Sequence, residues 1–293
     1  MSSTKFHKKQ NAAGALFLAP AVLILLVFLA YPVIMAFITS LTKSDLLTQP
    51  QWVGLSNFLS IFTSYDFLNS LKVTARFVIL ASIPLSVISL ALAVVLRKPF
   101  RGSQFFKLII FAPVVLSEAI TAVVWKMLLN PYGIVNDYLM HWGFIETYIK
   151  WLIDPRYALG GIILFVLWKE MGYFMIIFLT GLQSISDDYY EAATIDGASS
   201  WHQFFYITLP LLKPTTLFAS IIMLINILNT FTPFYVMTGG GPFNSTKVLS
   251  MLIFDTGFKF MLMGKAAAMS VIILLIVAVL SIILFRMGRQ DNV

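Results

Sequence analysis

The chain has 293 residues, of which 59% are hydrophobic and 11% charged, against roughly 25% charged in a soluble protein, and its mean hydropathy is +0.88. That excludes an ordinary soluble domain and reads as an all-α integral membrane protein. No cysteine is present and the three histidines, His7, His141 and His202, have no metal-ligand spacing, so disulfides, thiol catalysis and a metal site are excluded; the net charge of +7 is assigned to membrane-topology signals rather than to nucleic-acid binding.

Apolar runs of ~20 residues predict six spans. A basic tail, residues 1–11, carries Lys5, Lys8 and Lys9. It is followed by the first span, Ala12 to Ile38, whose apolar core exceeds a signal-peptide h-region of roughly 7–15 residues and is read as a retained helix. The others are Val73 to Leu96, Phe105 to Leu129, Leu159 to Leu182, Pro214 to Met237 and Ala266 to Phe285. Residues 12–293 are thus one transmembrane domain. The tail, the loop from Arg97 to Lys107 (Arg97, Lys98, Arg101, Lys107) and the C-terminal Arg286 and Arg289 fall on one side, which makes that side, and both termini, cytoplasmic. The loop 184–213 is cytoplasmic by parity, yet its one basic residue is Lys213, at its end.

That loop is acidic instead. Asp187, Asp188, Glu191 and Asp196 lie within ten positions. Asp187 and Asp188 suit a helix N-terminus, Gly197 suits a backbone reversal, and Ser199 or Ser200 suits the N-cap of a second short helix. On that helix Trp201, Phe204, Phe205 and Thr208 share one face, and Pro210 marks its expected end. Two readings are open. An interfacial helix would dip its aromatics in lipid, but such helices carry Lys and Arg on the polar face. A helical elbow that docks into a basic protein partner fits the acids.

The segment Glu191-Ala192-Ala193, with Gly197 six residues after Glu191 and then Ile207-x-Leu209-Pro210, resembles the EAA loop of ABC-importer permeases, whose pattern is EAA-x3-G-x9-I-x-LP. Asp196-Gly197-Ala198 is similar to the carbohydrate branch, as are Phe17-Leu18-Ala19-Pro20, Tyr31-Pro32, Gly54 to Phe58, Asn130 to Asn136, and Gly239-Gly240-Gly241-Pro242 with Ser245-Thr246. In this order they resemble the maltose and glycerol-3-phosphate type of permease. The resemblance implies a type I importer transmembrane domain in a bacterial inner membrane. It implies a second homologous permease subunit, two copies of a cytoplasmic ATPase holding ATP and Mg, and an extracytoplasmic solute-binding protein delivering a sugar. It also implies that Glu191, Ala192, Ala193, Asp196, Gly197, Ile207, Leu209 and Pro210 form the ATPase-coupling loop.

Polar residues inside spans need a reason. Glu118 is expected mid-span, and Lys169-Glu170 either satisfy each other or line a water-filled pathway. Asn226, Asn229 and Thr230 fall on one helical face; they bond neighbouring helices or meet sugar hydroxyls, with Trp168, Tyr173, Phe231, Phe234 and Tyr235 as aromatic surfaces. Those polar and aromatic positions are the expected substrate pathway. Gly239 to Pro242 lacks the G-x4-G-K-[ST] spacing of a phosphate-binding loop, and no catalytic constellation occurs. The expected function is therefore a non-enzymatic permease that binds no cofactor itself. An ion-gradient-driven sugar transporter or channel is the alternative.

Overall fold

The computed structural model describes residues 17–45 and 47–289; the tail 1–11 with its three lysines lies outside the described residues. In chain order the helices are α1 (Phe17–Ser40), α2 (Ser56–Phe62), α3 (Tyr65–Arg97), α4 (Ser103–Val115), α5 (Glu118–Leu128) and α6 (Ile134–His141). They continue as α7 (Ala158–Gln183), α8 (Asp188–Ile195), α9 (Ser200–Gln203), α10 (Lys213–Asn229), α11 (Leu249–Phe254) and α12 (Met263–Arg289). Wider π-helical turns occupy Phe204–Thr208, Phe234–Thr238 and Asp255–Lys259. A short hairpin, β1 (Thr42–Lys43) and β2 (Gln51–Trp52), pairs Thr42 with Trp52.

Among the described residues, five apolar helices are long enough to cross a membrane: Phe17–Ser40, Tyr65–Arg97, Ala158–Gln183, Lys213–Thr238 and Met263–Met287. The expected third span is different. It is a pair of helices, α4 and α5, bent by 100° at Leu116-Ser117, so Glu118 opens α5 beside the break. Leu116 and Ser117 are both extended (ψ 149° and 126°). Ser117-Glu118 interrupts the apolar run at the break, but a hydropathy window of ~20 residues averages across two polar positions. The second span starts at Tyr65 rather than Val73. Its first turns carry Asp66 and Lys72 and fail a hydropathy test, yet they bury Phe67 and Ser70.

The chain forms two compact units. One comprises the residues up to Thr63 together with Ile253–Ile272. In it, α1 exposes its apolar side chains along its length, as a helix solvated by lipid tails does. The Asn57 amide donates to the carbonyls of Ser40 (2.8 Å) and Thr42 (2.9 Å), closing the hairpin onto the end of α1. The other unit comprises Ser64–Leu252 and the residues from Ile273 onward. There α3 packs along α7, α4 packs on α7, and α10 packs on both α3 and α7. Phe77, Phe165, Phe174, Phe178 and Phe234 are fully buried, and Phe77 meets Phe234 edge-on at 4.8 Å. Helices in lipid gain little from hydrophobic transfer and depend on close packing. Gly172 serves that need, because a Cβ there would overlap the Ile110 carbonyl and lie 2.8 Å from the Phe111 Cα.

Candidate functional site

The acidic loop is a rigid elbow. Helix α8 ends in a Schellman closure, with the Gly197 N–H donating to Thr194 O (3.1 Å) and the Ala198 N–H to Ala193 O (2.9 Å). Gly197 has φ +78°, a left-handed conformation that disfavours a side chain. Ser199 then caps α9, its hydroxyl accepting from the His202 N–H at 3.4 Å. Two further bonds cross the bend: Gln203 Nε2 to Thr194 Oγ1 (3.0 Å) and Tyr190 OH with Thr208 Oγ1 (3.0 Å). Glu191, Ala192 and Asp196 are exposed and Ala193 is half-buried.

The second arm departs from expectation at two points. Pro210 does not end the helix. It lies at the start of the helical turn Leu209–Leu211, which leads to α10. A proline ring displaces the carbonyl four residues back, here Tyr206, inside the wide turn Phe204–Thr208. That turn also splits the expected aromatic face. Trp201 stacks on Phe205 (6.0 Å) and His202 on Tyr206 (4.8 Å), with Trp201 and Tyr206 exposed. Phe204 is half-buried and Thr208 is buried against Tyr190. Ile207 and Leu209 are half-buried beside it.

Nor do all the loop acids face outward unpaired. Asp187 pairs with Arg97 at the end of α3, 2.8 Å apart. The Arg97 guanidinium lies 4.2 Å from the centre of the Tyr190 ring and reaches the Ile185 carbonyl at 3.5 Å. Sequence reading missed this contact, whose partners are ninety residues apart.

Between the broken helices lies a cavity of about 450 Å³. It gathers Glu118, Asn226, Asn229 and Thr230 with Lys169, Glu170 and Phe231. The face 226–229–230 is interrupted, since α10 ends at Asn229 and Thr230 is extended (ψ 122°). The following Pro233 offers no N–H to continue the ladder, and the Ser250 hydroxyl takes up the Thr230 carbonyl at 2.7 Å. Four expected pathway residues lie elsewhere, and one of them, Phe234, is fully buried edge-on to Phe77. Trp168 packs on Trp125 (5.6 Å) and lines a separate cavity with Ser117. Tyr173 sits edge-on to Phe174 (5.1 Å), and Tyr235 stacks on Phe231 (5.2 Å).

Lys169 settles between its two readings in an unforeseen way. It is buried, and its ammonium donates to the carbonyls of Pro113 (2.6 Å), Val114 (3.3 Å) and Leu116 (2.5 Å). The Val114 and Leu116 carbonyls lack a backbone partner at the end of α4, while Pro113 O also accepts from the Leu116 N–H at 3.2 Å, so the lysine caps the break across helices. Lys126 acts similarly, donating to the Val236 carbonyl at 3.0 Å. Glu118 and Glu170 are left lining the cavity.

Residues 56–290 match the family described as "Binding-protein-dependent transport system inner membrane component". The lactose transport system permease protein LacF of Rhizobium radiobacter is 35% identical over 294 residues, covering 99% of this chain and 98% of that one. The trehalose/maltose transport system permease protein MalF of Thermococcus litoralis is 32% identical over 289 residues, covering 98% and 97%. Among solved structures, a bacterial ABC transporter involved in the import of the acidic polysaccharide alginate superposes with a TM-score of 0.84 at 25% identity, covering 97% of this chain and 98% of that one. The alginate transporter is also known in complex with an alginate pentasaccharide-bound periplasmic protein, and that structure superposes with a TM-score of 0.83 at 25% identity.

Proposed function

Because the chain belongs to the family of binding-protein-dependent transport system inner membrane components, in its sugar-importing branch, we propose that it is one permease subunit of an ATP-driven sugar importer. In this reading the polypeptide crosses the inner membrane six times, the bent α4–α5 pair counting as one span, with both termini cytoplasmic. A second permease completes the pathway. A binding protein delivers the sugar or related solute from outside, and two ATPase subunits carry ATP and Mg. The observation that carries this reading is the elbow at Gly197, which holds Glu191 and Ala192 exposed and Ala193 half-buried on one rigid arm.

The mechanism follows from that rigidity. Motion of the docked ATPases displaces the elbow, and its cross-bonds keep it from absorbing the displacement. The arms continue into α7 and α10, which carry Lys169, Glu170, Asn226 and Asn229 of the cavity. Rocking of these helices exposes the cavity to one side and then the other. The relatives' names support a saccharide as cargo. Amide and carboxylate groups suit sugar hydroxyls, and Phe231 offers a ring for an apolar sugar face. Chemistry stays on the ATPase, so this chain is not an enzyme.

Reconstitution tests this. Glu191→Lys should abolish co-purification of the ATPase and ATP-dependent uptake while the spans remain folded. Uptake driven by a proton or sodium gradient without ATP would overturn the importer reading. Retention of the ATPase by Glu191→Lys would overturn the role given to the loop.

A further inference from the structure

We propose that Arg97 is a positioning residue that ties the ATPase-facing elbow to α3, so that a third helix, besides the two covalently attached ones, moves with the loop; this rests on the importer reading above. The elbow is joined to α7 at Ser184 and to α10 at Lys213 by the chain itself. Helix α3 has no such link, since it leaves the loop region at Lys98 and the chain returns ninety residues later. Arg97 supplies the connection with three contacts on one guanidinium: the Asp187 carboxylate, the Tyr190 ring and the Ile185 carbonyl.

An exposed ion pair alone transmits little. Here the arginine side chain is 16% exposed, although Asp187 is 83% exposed. Stacking on Tyr190 holds the guanidinium plane, which a lysine would not match. Tyr190 is in turn bonded to Thr208 on the other arm. One residue therefore grips both arms of the elbow, directly at Asp187 and through Tyr190 at Thr208.

The other end of this lever is at the cavity. Leu85 lines it, twelve residues above Arg97, or ~18 Å along the helix axis at 1.5 Å per residue. Pro84, immediately beyond, removes one rung of the hydrogen-bond ladder and is where α3 bends most readily. The segment from Pro84 to Arg97 is thus a rigid arm with its grip at the loop and its pivot beside the cavity. The Ser89 hydroxyl, which donates to the Met171 carbonyl at 3.1 Å, keeps it alongside α7.

The test uses the full complex of both permeases and the ATPase, with cysteine-free partner subunits. This chain has no cysteine, so spin labels at Val95→Cys and Ile153→Cys, both exposed positions, report on the Arg97 end of α3 relative to the turn that precedes α7. Trapping with MgATP and vanadate should shift the label-to-label distance in the parent. In Arg97→Gln, and in Asp187→Asn combined with Tyr190→Leu, the shift should be at least halved while the ATPase still co-purifies, and the charge swap Arg97→Asp with Asp187→Arg should restore part of it. Asp187→Asn combined with Tyr190→Leu removes both side-chain partners of Arg97, so the double variant decides the matter even where Arg97→Gln expresses poorly. A parent-sized shift in Arg97→Gln or in the double variant would overturn the proposal, as would loss of the ATPase from either, since the contacts would then serve docking. Absence of any shift in the parent complex would instead overturn the ATP-driven reading on which it rests.

Discussion

Lys169→Met tests whether the lysine caps the α4–α5 break. The substitution keeps the side chain's length and removes the ammonium. Leu116 and Val114, at 2.5 and 3.3 Å, then lose their donor, while Pro113, at 2.6 Å, keeps the Leu116 N–H at 3.2 Å. A buried acceptor stripped of its partner costs about 1–3 kcal/mol. Counting the two stranded carbonyls, Val114 and Leu116, at mid-range gives about 4 kcal/mol, and release of the ammonium from its buried site offsets part of that. A net loss of about 3 kcal/mol lowers the melting temperature by about 6–12 °C for a chain of this size, measurable on the detergent-purified complex by tryptophan fluorescence, since Trp125 and Trp168 lie nearby. Were Lys169 held by its neighbour instead, Glu170→Gln would strand the ammonium and cost as much. Cross-helix capping predicts a clearly smaller effect for Glu170→Gln. Equal shifts for the two variants, or an unchanged melting temperature in Lys169→Met, would refute the cap.

Gly172→Ala forces α4 and α7 apart, because the added Cβ meets the Ile110 carbonyl and Phe111 Cα; overpacking of this kind costs about 1–3 kcal/mol and should show as earlier thermal unfolding, with Gly160→Ala, which meets nothing within 4 Å, as the silent control. Asn136→Leu removes a fully buried amide that donates to Pro131 O and Ile149 O (both 2.8 Å) and accepts from Trp151 Nε1 (2.9 Å), for an expected loss of about 2–4 kcal/mol and a shifted Trp151 emission. The Asp154 carboxyl is drawn from its usual 3.8 down to about 2 by the hydrogen bond from the Arg156 guanidinium. A depressed carboxyl stabilises its turn fully above the unfolded value and loses that contribution as pH falls through the folded one, so amide-exchange protection at Arg156 should hold at pH 5 and decline between about pH 4 and pH 2.

The contrast between loop and span shows what a sequence exposes. The elbow was legible because its chemistry is local: a glycine at the one left-handed residue, a serine two positions later as cap, acids at the first turn. The family-like outer motifs have the same character. Asn57, Asn136 and Thr246 are each buried and each bonds backbone carbonyls within seventeen residues, so the turn they close and the residue that closes it lie in one short reading window. The break in α4–α5 shows locally only as Ser117-Glu118 after Pro113, and the group that satisfies its carbonyls is 53 to 56 residues away on another helix. Hydropathy therefore reads a straight span through Leu116-Ser117, and Lys169 reads as half of an adjacent ion pair. What the sequence does hold is each half separately: Pro113 near the middle of one apolar run, and a lysine in the middle of another. A buried lysine is costly in lipid unless it finds several acceptors, and a broken span offers several carbonyls without donors. Each is a defect alone, and together they cancel, which makes a mid-span lysine beside a proline-containing span a physical reason to expect a capped break.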